Sequence, residues 1–198
     1  MHVPHRLFTF VFFLTAVCLA VPSWPAIAHT DDAAAFGFIS GFAHPFGGFD
    51  HLLAMAAIGL WAAQLGGTAT VLLPTAFVFS MLVGAAAAGT AVSLAEHLIA
   101  LSVPAAALPV AFAVRVPTPH AMAYAGLLAF FHGHVHGSAL PAGADATSYF
   151  VGFAAATLLI HVGGVAVGLV GRARAKPRFS TRLAGKAIVA AGSMLIVV

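Results

Sequence analysis

Long apolar segments recur along the whole chain, and they constrain its fold more than any other feature. Six of them follow residue 33, at roughly 34–63, 69–91, 95–114, 120–140, 147–171 and 180–198. Hydrophobic residues make up 62% of the 198 residues and charged residues only 7%, whereas soluble domains carry about 25% charged residues. A helix needs about 20 apolar residues to cross a bilayer. The sequence therefore predicts an all-α integral membrane protein with six transmembrane helices in one domain.

The first 28 residues are typical of a secretory signal peptide. Arg6 precedes an apolar run, and Ala26 and Ala28 fit the small-x-small rule for cleavage. We predict cleavage after Ala28, so that residues 29–198 form the mature six-helix transmembrane domain and begin at His29. The alternative is an uncleaved signal anchor.

The distribution of charge predicts an orientation. An external mature N-terminus followed by six spans puts Arg115 and the basic cluster from Arg172 to Arg182 in cytoplasmic connections. The external connections hold Asp31, Asp32 and Asp145 but neither Lys nor Arg, which agrees with the positive-inside rule. Six of the eight Lys and Arg residues lie between Arg172 and Lys186 with a single aromatic residue, Phe179, among them, so we expect membrane lipid and no nucleic acid as a partner.

Eleven histidines stand against five carboxylates, and several of the histidines fall within apolar segments. A charged side chain at mid-bilayer costs about 2.5–3.5 kcal/mol on insertion scales, so such residues survive where they pair, line a cavity or hold an ion. The first segment contains HPFGGFDH at 44–51. Its polar residues, His44, Asp50 and His51, are candidate metal ligands.

A local helix break would allow these three side chains to converge. Pro45 removes a backbone donor and disfavours helix at His44, and the two glycines that follow weaken the helix further. On an unbroken helix Asp50 would point away from the face that carries the two histidines. Met55, one turn beyond His51, can share that face. The alternative is a simple kink whose histidines bond to carbonyl groups.

A second motif, FHGHVHG at 131–137, lies in the fourth span. His132 and His136 are four residues apart, the spacing that lets two imidazoles on one helix face bind one metal. His134 falls on another face and is predicted to act from outside the metal's immediate ligand set. The alternative is a polar helix end at the membrane surface.

Three further residues are weaker candidates. Glu96 and His97 begin the third span, at the same predicted outer end as the His132 and His136 pair. His161 lies near the centre of the fifth span, where a structural hydrogen bond and a ligand role are equally compatible with the sequence.

The donor types limit the choice of metal. Cys18, the only cysteine, lies in the predicted signal peptide, so neither a disulfide nor a cysteine-based metal site is expected. Imidazole and carboxylate without thiolate fit Ni²⁺, Co²⁺, Zn²⁺ or Cu²⁺. Mg²⁺ and Ca²⁺ prefer shells of oxygen atoms. No resident cofactor is expected.

These motifs resemble those of the HupE/UreJ family of small bacterial nickel/cobalt permeases. HPFGGFDHLLAM at 44–55 matches the first-span pattern of the family, and FHGHVHG is similar to its second motif. EHLIALSV at 96–103, YFVGFAAATLLIHVGG at 149–164 and AHT at 28–30 are also similar to family patterns. The resemblance covers nearly the whole chain.

The resemblance implies an inner-membrane permease that carries Ni²⁺ or Co²⁺ inward to supply hydrogenase, urease or cobalamin synthesis. It implies functional roles for five residues, with Glu96 as a supporter: His44, Asp50, His51, His132 and His136. One departure is Ala139, which stands where family members often carry a glutamate. If that glutamate helps to select or admit the metal, this chain would transport a different metal, or His97 and His134 would take over the role of the glutamate.

A cleaved N-terminus offers one more candidate ligand. The α-amine and imidazole of a terminal His29 can together chelate Ni²⁺ or Cu²⁺ at the external face. The alternative is a terminus with no metal-binding role.

Two other function classes remain open from the sequence. His51 with His132 or His161 can serve as axial ligands of a haem in an electron-transfer subunit, and a metal-binding sensor or assembly protein would use the same residues as a permease. An enzyme is not expected, since the chain has no HExxH helix and no serine-hydrolase motif.

Overall fold

The computed structural model describes residues 37–89, 95–140, 142–173 and 177–195. Within these ranges the regular structure consists of seven α-helices and no strands. In chain order they are α1 Phe38–Gly47, α2 Phe49–Leu65, α3 Ala69–Ala86, α4 Ala95–Phe112, α5 Thr118–Ser138, α6 Ala146–Ala173 and α7 Pro177–Leu195. The predicted all-α class is confirmed. The predicted signal peptide and His29 lie outside the described residues.

The apolar helices are compatible with a membrane protein. Helices α3 and α6 are each long and apolar enough to cross a bilayer, and α1 with α2 meets the same test if the bent pair is one span. Outward-facing Val71, Phe79 and Leu159 are each more than half exposed. Apolar surface of this extent is unusual on a soluble monomer and suits contact with lipid.

The predicted helix break is confirmed, and it lies at Gly48. Helices α1 and α2 meet there at 84°, and Gly48 is extended, with φ −119° and ψ 127°. Pro45 does not end the helix as its chemistry suggested: it is buried inside α1, and the helix continues through His44 to Gly47. Proline removes only one hydrogen-bond donor, and two further residues follow it before the chain turns.

Helix α2 is the centre of the bundle. Eleven of its 17 residues are buried, and it packs against α6, α4 and α3. Helix α1 also packs on α6, α3 packs on α5, and α4 packs on α7. The central helix carries Asp50 and His51 in its first turn, so these two polar residues begin the most buried element of the described structure.

Glycines set the close approach of α5 to α3. A Cβ at Gly133 would overlap the carbonyl oxygen of Met81, and one at Gly84 would overlap that of Phe130. Gly137, one turn after Gly133, lies against the backbone of Ala85. The glycines of the FHGHVHG motif therefore face α3, and the adjacent His132 and His136 lie on a different face of α5 because successive residues are about 100° apart.

Polar side chains tie the helices together at the far end of α2. The Trp61 indole donates to the carbonyl oxygen of Val114 at 3.0 Å, and the Gln64 amide donates to that of Val110 at 3.1 Å. The Arg172 guanidinium donates to the carbonyl oxygen of residue 63 at 2.6 Å. Buried carbonyl groups near the ends of α2 and α4 are thereby satisfied.

We predict that Gly84→Ala lowers the apparent Tm of the purified protein in detergent. The added methyl group must displace the α5 backbone, and overpacking of this kind costs about 1–3 kcal/mol. The matched control is Gly163→Ala, because a Cβ at Gly163 meets no atom within 4 Å and alanine is the better helix former. Equal Tm values for the two variants would contradict the close packing of α3 on α5.

Candidate metal-binding site

Three histidines from three helices converge beside the break. His44 lies near the end of α1, His51 in the first turn of α2 and His136 in the last turn of α5. Each offers one ring nitrogen, and these three atoms all lie within 4.8 Å of one another. The bend at Gly48 makes this possible, because it turns the end of α1 back beside the start of α2. The group, called the His cluster below, can hold a metal ion.

Asp50 holds one ring of the His cluster in place. The Nδ1 atom of His51 lies 2.7 Å from Oδ1 of Asp50, and a carboxylate can only accept in such a bond. The proton therefore resides on Nδ1 of His51, and Nε2 presents a lone pair. This carboxylate–histidine arrangement commonly stands behind a metal ligand, where it fixes the tautomer and raises the basicity of the ring.

The Nε2 atoms of His51 and His136 are 2.8 Å apart. That spacing fits a hydrogen bond in which His136 donates to His51. It also fits two ligands of one ion, since nitrogens bound at right angles about 2.0–2.1 Å from a metal are about 2.9 Å apart. The two nitrogens thus need little movement to exchange the shared proton for a dication.

His132 extends the group on its buried side. Its ring centroid lies 4.7 Å from that of His51 and 4.9 Å from that of His136, and the residue is only 3% exposed. Its Nε2 atom is buried with no hydrogen-bond partner among the described residues. Buried polar atoms are nearly always paired, so this free nitrogen beside the imidazoles of His51 and His136 suits a fourth metal ligand.

Aromatic residues of α6 close one side of the site. The Phe153 ring lies 5.2 Å from that of His136 and 5.4 Å from that of His44, and Tyr149 lies 6.0 Å from His44, between centroids. Neither residue was predicted from the sequence as part of the site. Their spacing of four residues places them on one helix face, which was the available signal.

Several other candidate residues lie apart from the His cluster. His134 faces away and stacks on Phe130, with ring centroids 6.4 Å apart. His97 is exposed at the start of α4, and His161 packs against α3 and is treated below. Met55 lies one turn beyond His51 on α2, the position that the helix period gives it. Its side chain is fully buried.

Two candidates are not covered by the described side chains. Glu96 belongs to α4, but its side chain lies outside the described part of the structure. His29 lies outside the described residues altogether.

We predict that Gly48→Ala weakens Ni²⁺ binding although it removes no ligand. A Cβ there would overlap Oδ1 of Asp50 and lie 2.7 Å from Nδ1 of His51. The backbone angles of Gly48 are open to any residue, so the effect is steric. Loss of a supporting hydrogen bond typically weakens metal binding about 10–100-fold, measurable by calorimetric titration of the purified protein.

The matched control is Gly47→Ala, because a Cβ at Gly47 meets no atom within 4 Å. Unchanged affinity in both variants would show that the Asp50–His51 pair does not support metal binding.

Comparison with known proteins agrees with the resemblance drawn from the motifs. The chain matches the model of the HupE / UreJ protein family over residues 16–195. It is 43% identical over 182 residues to Protein HupE of Rhizobium leguminosarum bv. viciae, which covers 90% of this chain and 95% of that protein. No solved structure gives a significant match. The chain therefore belongs to the HupE/UreJ family.

Proposed function

We propose that this protein carries a transition-metal dication, Ni²⁺ or Co²⁺, inward across the bacterial inner membrane, and that the ion binds at the His cluster. One observation carries the proposal: ring nitrogens of His44, His51 and His136 lie within 4.8 Å of one another in an apolar helix bundle. Membership of the HupE/UreJ family supports it, and supply of hydrogenase, urease or cobalamin synthesis is the role we propose.

The donor set favours a borderline transition metal. Among the described side chains, the site brings together four imidazoles and one carboxylate and no thiolate, which suits Ni²⁺ and Co²⁺ and also Zn²⁺ and Cu²⁺. His44, Asp50 and His136 are partly exposed, whereas His51 and His132 are buried. An ion would therefore meet the exposed ligands first and the buried ones last.

The position of the His cluster supports the proposed orientation. His51 and the carbonyl group that binds Arg172 lie twelve residues apart on α2, a distance of about 18 Å along the helix axis. Because Lys and Arg mark the cytoplasmic side, we place the His cluster nearer the periplasm. We propose six spans in which α1 and α2 form one broken span, with a periplasmic N-terminus after removal of residues 1–28.

Asp50 is proposed to act chiefly through His51, with its second oxygen available to an incoming ion. Glu96, His97, His134 and His29 remain candidates for capture of the ion outside the His cluster. Ala139 is the exposed residue that directly follows α5, so the family glutamate that it replaces would have stood close to His136 at the same helix end.

The contact between imidazoles favours a bare ion over a haem. His51 and His136 touch through their Nε2 atoms at 2.8 Å, and the His51 and His132 rings are 4.7 Å apart between centroids. A haem bound by two axial histidines would have to fit between two of these imidazole rings, and rings in contact leave no space for it. A sensor or assembly protein would bind metal through the same residues. Only a measurement of transport distinguishes such a protein from a permease.

We predict that cells expressing the protein accumulate Ni²⁺, and that His51→Ala and Asp50→Ala reduce uptake to the level of cells without it. His51 contributes a ligand, and Asp50 holds that ligand in place. Uptake of radioactive ⁶³Ni²⁺ at matched membrane levels measures the effect, with Co²⁺, Zn²⁺ and Cu²⁺ as competitors that rank the cargo. The control is His120→Ala, since His120 is exposed and outside the His cluster.

Uptake of none of the four ions by the normally expressed protein would contradict a permease and favour the sensor class. Full uptake in both site variants would contradict transport through the His cluster.

We further predict that the purified protein binds Ni²⁺ more weakly as pH falls below about 6.5, where imidazole ordinarily becomes protonated. A protonated ring has no lone pair for the metal, so each ligand must release its proton before binding. Titrations from pH 8 down to pH 4 in detergent measure the change without any contribution from energy coupling. Affinity that stays constant over this whole range would contradict imidazole ligands.

A further inference from the structure

His161 is a buried imidazole whose second nitrogen has no partner. The residue is fully buried in α6, and its Nδ1 atom lies 2.7 Å from the carbonyl oxygen of Thr157. Because a carbonyl cannot donate, the proton resides on Nδ1 and Nε2 carries a lone pair. That Nε2 atom is buried without a hydrogen-bond partner among the described residues.

A purely structural role does not explain this arrangement. Leaving a buried polar atom without a partner destabilises a protein, and the neighbouring core is apolar. The two imidazole nitrogens point in nearly opposite directions. Nδ1 bonds to the backbone of α6, so Nε2 lies on the opposite edge of the ring. The ring itself packs at the interface with α3, where the Phe77 ring lies 4.8 Å from the His161 ring between centroids.

Two other possible ligands lie at this interface. Thr157 donates from Oγ1 to the sulfur of Met81 at 4.0 Å, and both side chains are fully buried. Phe77 and Met81 are four residues apart on α3, as Thr157 and His161 are on α6, so each pair lies on one face of its helix. An imidazole, a thioether and a hydroxyl therefore occupy adjacent positions between two helices.

This group lies directly along α6 from the His cluster. Phe153, which packs against His44 and His136, is four residues before Thr157 and eight before His161. His161 is therefore on the same face, about 12 Å further along the helix axis. It lies in the direction of Arg172, away from the exposed ligands of the His cluster.

We propose that His161, Met81 and Thr157 form a second, inner binding site for the transition-metal dication, occupied after the His cluster. The proposal rests on the transport function proposed above and adds a second position for the same ion. A thioether and a hydroxyl are weaker ligands than the imidazoles of the His cluster, so the inner site holds the ion less tightly. Conduction through a protein interior requires sites weak enough to release the ion.

Titration of the purified full-length protein with Co²⁺ in detergent tests the inner site. We expect the wild-type protein to bind two ions with different affinities. The His161→Gln variant should lose the weaker binding event, and the His51→Ala variant should lose the tighter one. The control is His120→Gln, an exposed position that should retain both ions. Apparent Tm and gel filtration verify that each variant is folded.

The outcomes separate the inner site from the proposed function. A single ion that is lost in His51→Ala and kept in His161→Gln would overturn the inner site and leave the His cluster in place. Two ions in His161→Gln would likewise overturn it. Binding that survives in His51→Ala and disappears in His161→Gln would support the inner site and count against the His cluster as the first site.

A conservative variant covers the case in which His161→Gln does not fold. Met81→Leu removes the sulfur at nearly constant volume, a change that cores tolerate well. In the His51→Ala background it should change the visible absorption of bound Co²⁺ and weaken its binding, and the exposed control Met194→Leu should not. Identical spectra and affinities for both methionine variants would overturn the inner site.

Transport kinetics provide a second readout. Because the His cluster captures the ion first, loss of the inner site should lower the maximal rate of uptake and leave the half-saturating Ni²⁺ concentration unchanged. A raised half-saturating concentration at an unchanged maximal rate would place His161 in capture and contradict the proposed order of the two sites.

Discussion

The 84° bend at Gly48 is the feature on which the rest of the site depends. It lets α1 and α2 present His44 and His51 to the same space, although seven residues separate them along the chain. It also frees the first turn of α2, where Asp50 bonds to His51 at 2.7 Å. In a bilayer a break of this kind is tolerated only where protein surrounds the exposed backbone, and packing of α1 and α2 on α6 supplies that surrounding.

Close backbone packing brings the other ligands to the bend. Gly133 lets α5 approach α3 until its backbone meets Met81, and this fixes the rotation of α5 that turns His132 and His136 inwards. Helix α6 closes the site with Phe153 and continues past it to His161. Such small-residue contacts are the usual basis of helix association in membranes, where burial of apolar surface provides no driving force between helices.

The sequence predicted the elements of this site better than their arrangement. The all-α class, the break before Asp50 and the shared face of His132 and His136 follow from hydropathy and from helix period, which are local properties. The exact position of the break does not, because Pro45 and Gly48 are both helix breakers and tertiary packing selects Gly48. The contact of Phe153 with the histidines was not predicted for the same reason. It depends on the register between helices, which the sequence of a single helix does not determine. The six-span count and the role of each ligand remain predictions.

The most direct test of the central claim is X-ray absorption at the nickel edge of the purified protein loaded with one equivalent of Ni²⁺. We predict several imidazole ligands on the ion, from His44, His51, His136 and His132, with fewer imidazoles in His51→Ala. A shell of oxygen atoms only, or an imidazole count that does not change in that variant, would contradict the His cluster as the metal site.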